Sequence, residues 1–225
     1  MSETADGSAQ GDGEVKQDHK FFASSATITV TVGRDNRKRT YNLHEAVLVS
    51  QCPFFEKCLR SGMKEQVEQT VHLPEDNPEA FEIVVKWMHA EKVPTIINDL
   101  SIGHAYILAN KLCMGELQNA LVDKFRATYK KAMINPSTVT WIWAHTPEGC
   151  KLREISLDQL HFEILKSPFK YKNTEQFKKL MKSGGELVTE MYWKSVHQGA
   201  IATRKNPALL TGCVYHVHAD GKNCT

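Results

Sequence analysis

Alternation is the first pattern along the chain. Ile28, Val30 and Val32 alternate with Thr27, Thr29 and Thr31, the period of two expected where one face of a strand is buried and the other meets water. Gly33-Arg34-Asp35-Asn36 supplies turn chemistry, and residues 40–43 return as a second strand, so residues 27–43 predict a β-hairpin. The period then lengthens. Ala46, Val47, Val49 and Ser50 suit a short helix that Pro53 stops, and Phe54, Phe55, Cys58 and Leu59 suit the next. Residues 70–73 read as a strand. Asn77 is then a good N-cap with Pro78 at the first helical position, and Phe81, Val84, Val85 and Met88 follow at i, i+3, i+4 and i+7.

Helical spacing continues over residues 99–112 and 114–129, where Leu117, Leu121, Val122 and Phe125 form the apolar stripe. Asn135-Pro136 repeats the capped start, with Val139, Ile142 and Trp143 on one face. Further helices are predicted over 151–166, 174–182 and 186–197, the last two separated by Gly184-Gly185. No internal repeat is visible. Residues 1–22 carry almost no apolar content before Phe21-Phe22, too little burial to offset the entropy of ordering, and read as disordered.

Composition narrows the class. The 41% hydrophobic and 24% charged fractions are those of a globular protein, and the net charge of +2 gives no reason to expect nucleic acid or an anionic membrane as partner. No apolar run approaches the length of a membrane span. The acidic, Gly- and Ser-rich start lacks the basic and apolar regions of a secretory signal, so the chain is expected inside the cell, in cytoplasm or nucleus. There its cysteines are expected as thiols.

These residues carry a resemblance. Residues 27–126 resemble a BTB/POZ domain, most like the small fungal BTB-domain proteins. The similarity lies in the strand pair, in His44, Leu48 and Cys52-Pro53-Phe54-Phe55, and in Gly62-Met63-Lys64-Glu65. It continues through residues 73–82, which read LPEDNPEAFE, and through Ala105-Tyr106-Ile107-Leu108-Ala109-Asn110-Lys111 and Glu116-Leu117-Gln118-Asn119-Ala120. Two positions depart from the family pattern. Ser25-Ala26-Thr27 replaces an Asp at the head of the first strand, which removes a residue of the corepressor pocket used by some transcriptional members. Met88-His89-Ala90 replaces Tyr–Thr–Gly, so the turn there must be built differently.

The resemblance implies an α+β fold, a BTB/POZ core with a small sheet flanked by helices, followed by an α-helical C-terminal extension. The corresponding division is a disordered tail at 1–22, a BTB/POZ domain at 23–130, a helical extension at 131–200 and a Cys/His-containing tail at 201–225. It also implies a non-enzymatic adaptor or scaffold acting by self-association or partner recruitment. Met63 and Glu65, with Phe55, correspond to the loop by which some members engage a cullin ubiquitin ligase. The alternative is a transcription-associated or structural dimer without cullin binding, its face formed by Ile28, Val30, Tyr41 and Leu43.

Other residues offer sharper chemistry beside a blander reading. Cys213, His216, His218 and Cys224 carry the donors of a tetrahedral zinc set; they are either a structural zinc site or scattered polar residues of a frayed tail. No other cofactor is expected. Lys166, Lys170, Lys172, Lys178, Lys179 and Lys182, near Phe169, Tyr171 and Phe177, read as a solvated helix face rather than an RNA-binding surface. Cys52, Cys58 and Cys113 read as small buried hydrophobes. Of the four tryptophans, Trp87, Trp141, Trp143 and Trp193, an exposed one near the C-terminus would be an anchor for a client.

Overall fold

The alternating threonine and aliphatic residues fold as the central strand of a three-stranded sheet. A computed structural model describes residues 26–62, 64–95, 97–197 and 204–218. Strand β1 (Thr27–Val32) pairs antiparallel with β2 (Arg39–His44) and parallel with β3 (Thr70–Leu73), in the order β2-β1-β3. Register sets Ile28 opposite Leu43 and Val30 opposite Tyr41, so the four share one face. Ile28, Val30 and Val32 are fully buried, and Val71 and Leu73 of β3 nearly so.

A parallel pair needs a crossover, and here three short helices supply it: α1 (Glu45–Gln51), α2 (Pro53–Arg60) and α3 (Lys64–Glu68). Pro53 ends α1 and stands at the start of α2, where its missing N–H costs nothing. The hairpin turn contains a 3-10 helix, Asp35–Arg37, entered through Gly33 at φ 83° and Asp35 at φ 50°.

The chain divides into two compact units between Asp76 and Asn77. The second is helical. It holds α4 (Pro78–Ala90), α5 (Asp99–Lys111), α6 (Gly115–Tyr129), α7 (Pro136–His145), α8 (Lys151–Lys166), α9 (Pro168–Lys172), α10 (Glu175–Ser183) and α11 (Gly185–His197). Asn77 caps α4 by accepting from the Glu79 and Ala80 amides. Asn98 caps α5 through Ser101, and Asn135 caps α7 through Ser137. The turn after α4 is closed by Glu91 in the left-handed region at φ 49°, its N–H donating to Trp87 O at 2.7 Å. A glutamate thus occupies a conformation usually given to glycine.

Helix α4 packs on α5, α5 on α6, and α7 on α8; α8 also lies against α6 and α11. The α6 stripe of Leu117, Leu121, Val122 and Phe125 is fully buried. One close approach joins α5 to α7: a Cβ built on Gly103 would lie 2.4 Å from Cζ3 of Trp141. That indole stacks on His145 at 4.4 Å and meets His104 edge-on at 4.6 Å.

Polar side chains tie the later helices together. Arg153, buried on α8, lies 3.6 Å over the Trp143 ring and donates to Glu186 at 2.9 Å, while Trp143 Nε1 donates to the same carboxylate at 3.2 Å. Glu163 accepts from the Ile134 amide at 3.1 Å, from Gln159 at 2.6 Å and from the Tyr171 hydroxyl, which burial and that carboxylate keep protonated. Among the described residues no helix is long and apolar enough to cross a membrane.

Candidate functional site

Two places carry defined chemistry, one in each unit. The first is the loop between α2 and β3. Gly62, at φ 74°, turns the chain, and its N–H donates to Gln66 Oε1 at 2.7 Å. This bond fastens the loop to α3, whose first turn carries Glu65. Burial and the neighbouring Glu65 carboxylate push the Cys58 thiol upward. Glu65 is half-buried, and Val67 beside it is 79% exposed. Met63 lies outside the described residues. Phe55 is fully buried, its ring edge-on to Phe54 at 5.4 Å, so it belongs to the core and offers a partner no surface.

The hairpin behaves similarly. Ile28 and Val30 are fully buried, because the face they share with β2 points inward; only Tyr41 and Leu43, half-buried on the edge strand, reach its surface. Among the described residues up to Asp76, Val67 is the one large apolar side chain classed as exposed.

The second place is the C-terminal segment 204–218, which is docked rather than frayed. A short 3-10 helix, Pro207–Leu209, lies against α6 and α8, with the Ala208 amide donating to buried Gln159 at 3.0 Å. Arg126 donates to Leu210 O and faces the Tyr215 ring at 5.8 Å. Tyr215 is buried, its hydroxyl donating to Asp158 at 2.9 Å. Asn119 then clamps Val217 in both directions: its Nδ2 donates to Val217 O at 3.0 Å and its Oδ1 accepts from Val217 N at 2.7 Å. This pattern imitates one rung of a sheet, 98 residues apart in sequence.

On that clamped segment Cys213, His216 and His218 come together, with one ligand atom from each lying within 4.8 Å of the others. The turn is closed by the His216 amide donating to Cys213 O at 3.1 Å. The two imidazoles are 6.0 Å apart, and His216 Nε2 lies 3.1 Å from the Asp123 carboxylate. His216 and His218 also line a cleft of about 550 Å³ together with Tyr106, Asn110, Gln118 and Cys150. Cys224 lies outside the described residues. Asn119, Asp123 and Arg126 gave no sequence signal, because their partners come from a distant segment.

Other expectations divide. All six lysines of the 166–182 cluster are exposed, as is Phe169, while Tyr171 is buried. Cys52 is buried and Cys58 half-buried, but Cys113 is exposed. It follows α5 in the left-handed region at φ 59°, where the turning backbone carries it off the apolar face. Trp193 is 48% exposed on α11 beside Tyr192 and Val196, also exposed; Trp87, Trp141 and Trp143 are half-buried.

A short mixed sheet with a helical crossover, followed along the chain by packed helices, defines an α+β architecture. Residues 19–129 match the model of the BTB/POZ domain family. The chain therefore carries a BTB/POZ domain, a module by which proteins bind one another, followed by a helical C-terminal region. No curated protein matches the chain.

Proposed function

We propose that the protein is an adaptor: its BTB/POZ domain docks on a cullin-type scaffold through the loop after α2, and its C-terminal helices recruit a client. The observation that carries this reading is the contrast in exposure within residues 26–76. Val67 stands out at 79% exposed on the same short helix as Glu65, whereas Ile28 and Val30 of the hairpin are fully buried. An exposed apolar residue and a carboxylate carried by one short helix supply the two kinds of group an interface uses, an anchor and a charge-assisted hydrogen bond. For the client, the exposed Tyr192, Trp193 and Val196 on α11 are the aromatic and apolar anchors available.

Purified protein is expected to bind a cullin N-terminal domain with micromolar or tighter affinity, and Glu65→Lys to lose at least about tenfold, the equivalent of ~1.4 kcal/mol. Absence of binding by the wild type in calorimetry would overturn the cullin reading. The second reading, a BTB dimer, draws on Tyr41 and Leu43 along the edge strand. In that case sedimentation would give a dimer that Tyr41→Lys converts to monomer.

A further inference from the structure

Segment 204–218 is fixed against α6 and α8 by hydrogen bonds to Arg126, Asn119 and Gln159, and it carries a cluster of soft donors. We propose that Cys213, His216 and His218 form a zinc site that rigidifies residues 213–218, with Asp123 of α6 as the carboxylate behind His216.

The donor chemistry selects the ion. One thiolate with two imidazoles is a borderline-soft set of the kind zinc takes, whereas magnesium and calcium require oxygen. Around a tetrahedral zinc, with bonds of about 2.0–2.3 Å, ligand atoms stand about 3.3–3.8 Å apart. Here the three lie within 4.8 Å of one another before any ion draws them in. Side-chain rotation closes the remainder, because the backbone is already fixed by the Asn119 clamp on Val217 and the turn from Cys213 to His216.

The surroundings supply what a zinc histidine needs. A ligating imidazole usually donates its second N–H to a carboxylate, which fixes its tautomer and ring plane. His216 Nε2 is 3.1 Å from Asp123, close enough for a small ring rotation to turn the contact into that hydrogen bond, and Arg126 holds the same carboxylate at 2.9 Å. The cleft lined by His216 and His218 gives the ion a route from solvent. Binding converts the Cys213 thiol to thiolate and releases its proton to water. The fourth tetrahedral position falls to a donor beyond these three.

The ion's role is structural. It cross-links residues 213–218 to one another, fixing the turn whose Val217 backbone Asn119 clamps and whose His216 faces Asp123, so it raises the stability of the docked state by mass action.

The test uses the full chain, stripped of metal with a chelator and titrated with Zn2+, and with Co2+ as a spectroscopic stand-in. The wild type is expected to take up one Zn2+ per chain, to give the absorption of a tetrahedral thiolate–imidazole Co2+ site, and to melt at higher temperature with zinc than without. Cys213→Ser and His218→Gln should each weaken binding at least about tenfold, and Cys213→Ser should abolish the Co2+ thiolate band, with helical content by circular dichroism unchanged. Asp123→Asn should weaken zinc binding about 10–100-fold while keeping that band. Substoichiometric uptake by the wild type would overturn the proposal. So would full affinity in the folded Cys213→Ser and His218→Gln variants.

Discussion

His161 shows how one residue can set a pH limit. It is buried on α8, its Nε2 lies 2.8 Å from the Ser195 hydroxyl, and Arg204 approaches its Nδ1 at 3.4 Å. Burial, then Arg204 and Lys194, lower its pKa to about 4 from 6.5, against a smaller opposing effect of Asp158. The unfolded chain therefore binds this proton more readily than the folded one between those values. Stability from this group is complete above pH 6.5 and falls as the pH drops toward about 4, by up to about 1.4 kcal/mol per pH unit. Urea unfolding at a series of pH values should show this slope, and His161→Gln should flatten it. An equal slope in the variant would place the acid sensitivity elsewhere.

Among elements, the approach of α5 to α7 is the tightest constraint. Alanine is ordinarily the better helix former by about 1 kcal/mol, but at position 103 its methyl would strike the Trp141 ring at 2.4 Å. The cost of overpacking, about 1–3 kcal/mol, is expected to win. Gly103→Ala should lower the melting temperature by a few degrees, and adding Trp141→Leu should recover most of the loss. Elements with local signals were legible in the sequence. Alternation marked β1, and the Asn-Pro pairs at 77–78 and 135–136 marked two helix starts. Helices α3 and α9 were missed, since five residues are too few to show a period of 3.6. The Cys/His donors were visible as residue types, but their assembly was not. It depends on Asn119, a buried amide in the middle of an otherwise ordinary amphipathic helix, whose purpose appears only when Val217 is beside it.

For the whole molecule, the helices that close the BTB/POZ match and those of the extension form one compact unit, residues 77–225. Helix α8 lies on α6, and α7 on α5. A chain ending at residue 130 loses those covers and should expose apolar surface from α5 and α6. It is expected to bind a hydrophobic dye and to melt below the full-length protein. Equal melting temperatures for the two would show that the extension contributes nothing to the BTB/POZ helices. The BTB/POZ fold was legible because its signals run in sequence order. The dependence of its last helices on later ones was not, because packing between distant helices leaves no local pattern.

The pairing of Gly103 with Trp141 also bears on how such a protein can change over time. One partner lies within the BTB/POZ match and the other in the extension. Position 103 does not enlarge freely: a larger residue there needs a smaller side chain at 141, acquired first or together. The extension is therefore not a cassette that can be moved onto another BTB/POZ domain at will. A chimera built by swapping it should be tolerated only where the recipient already has glycine at the matching point of its helix.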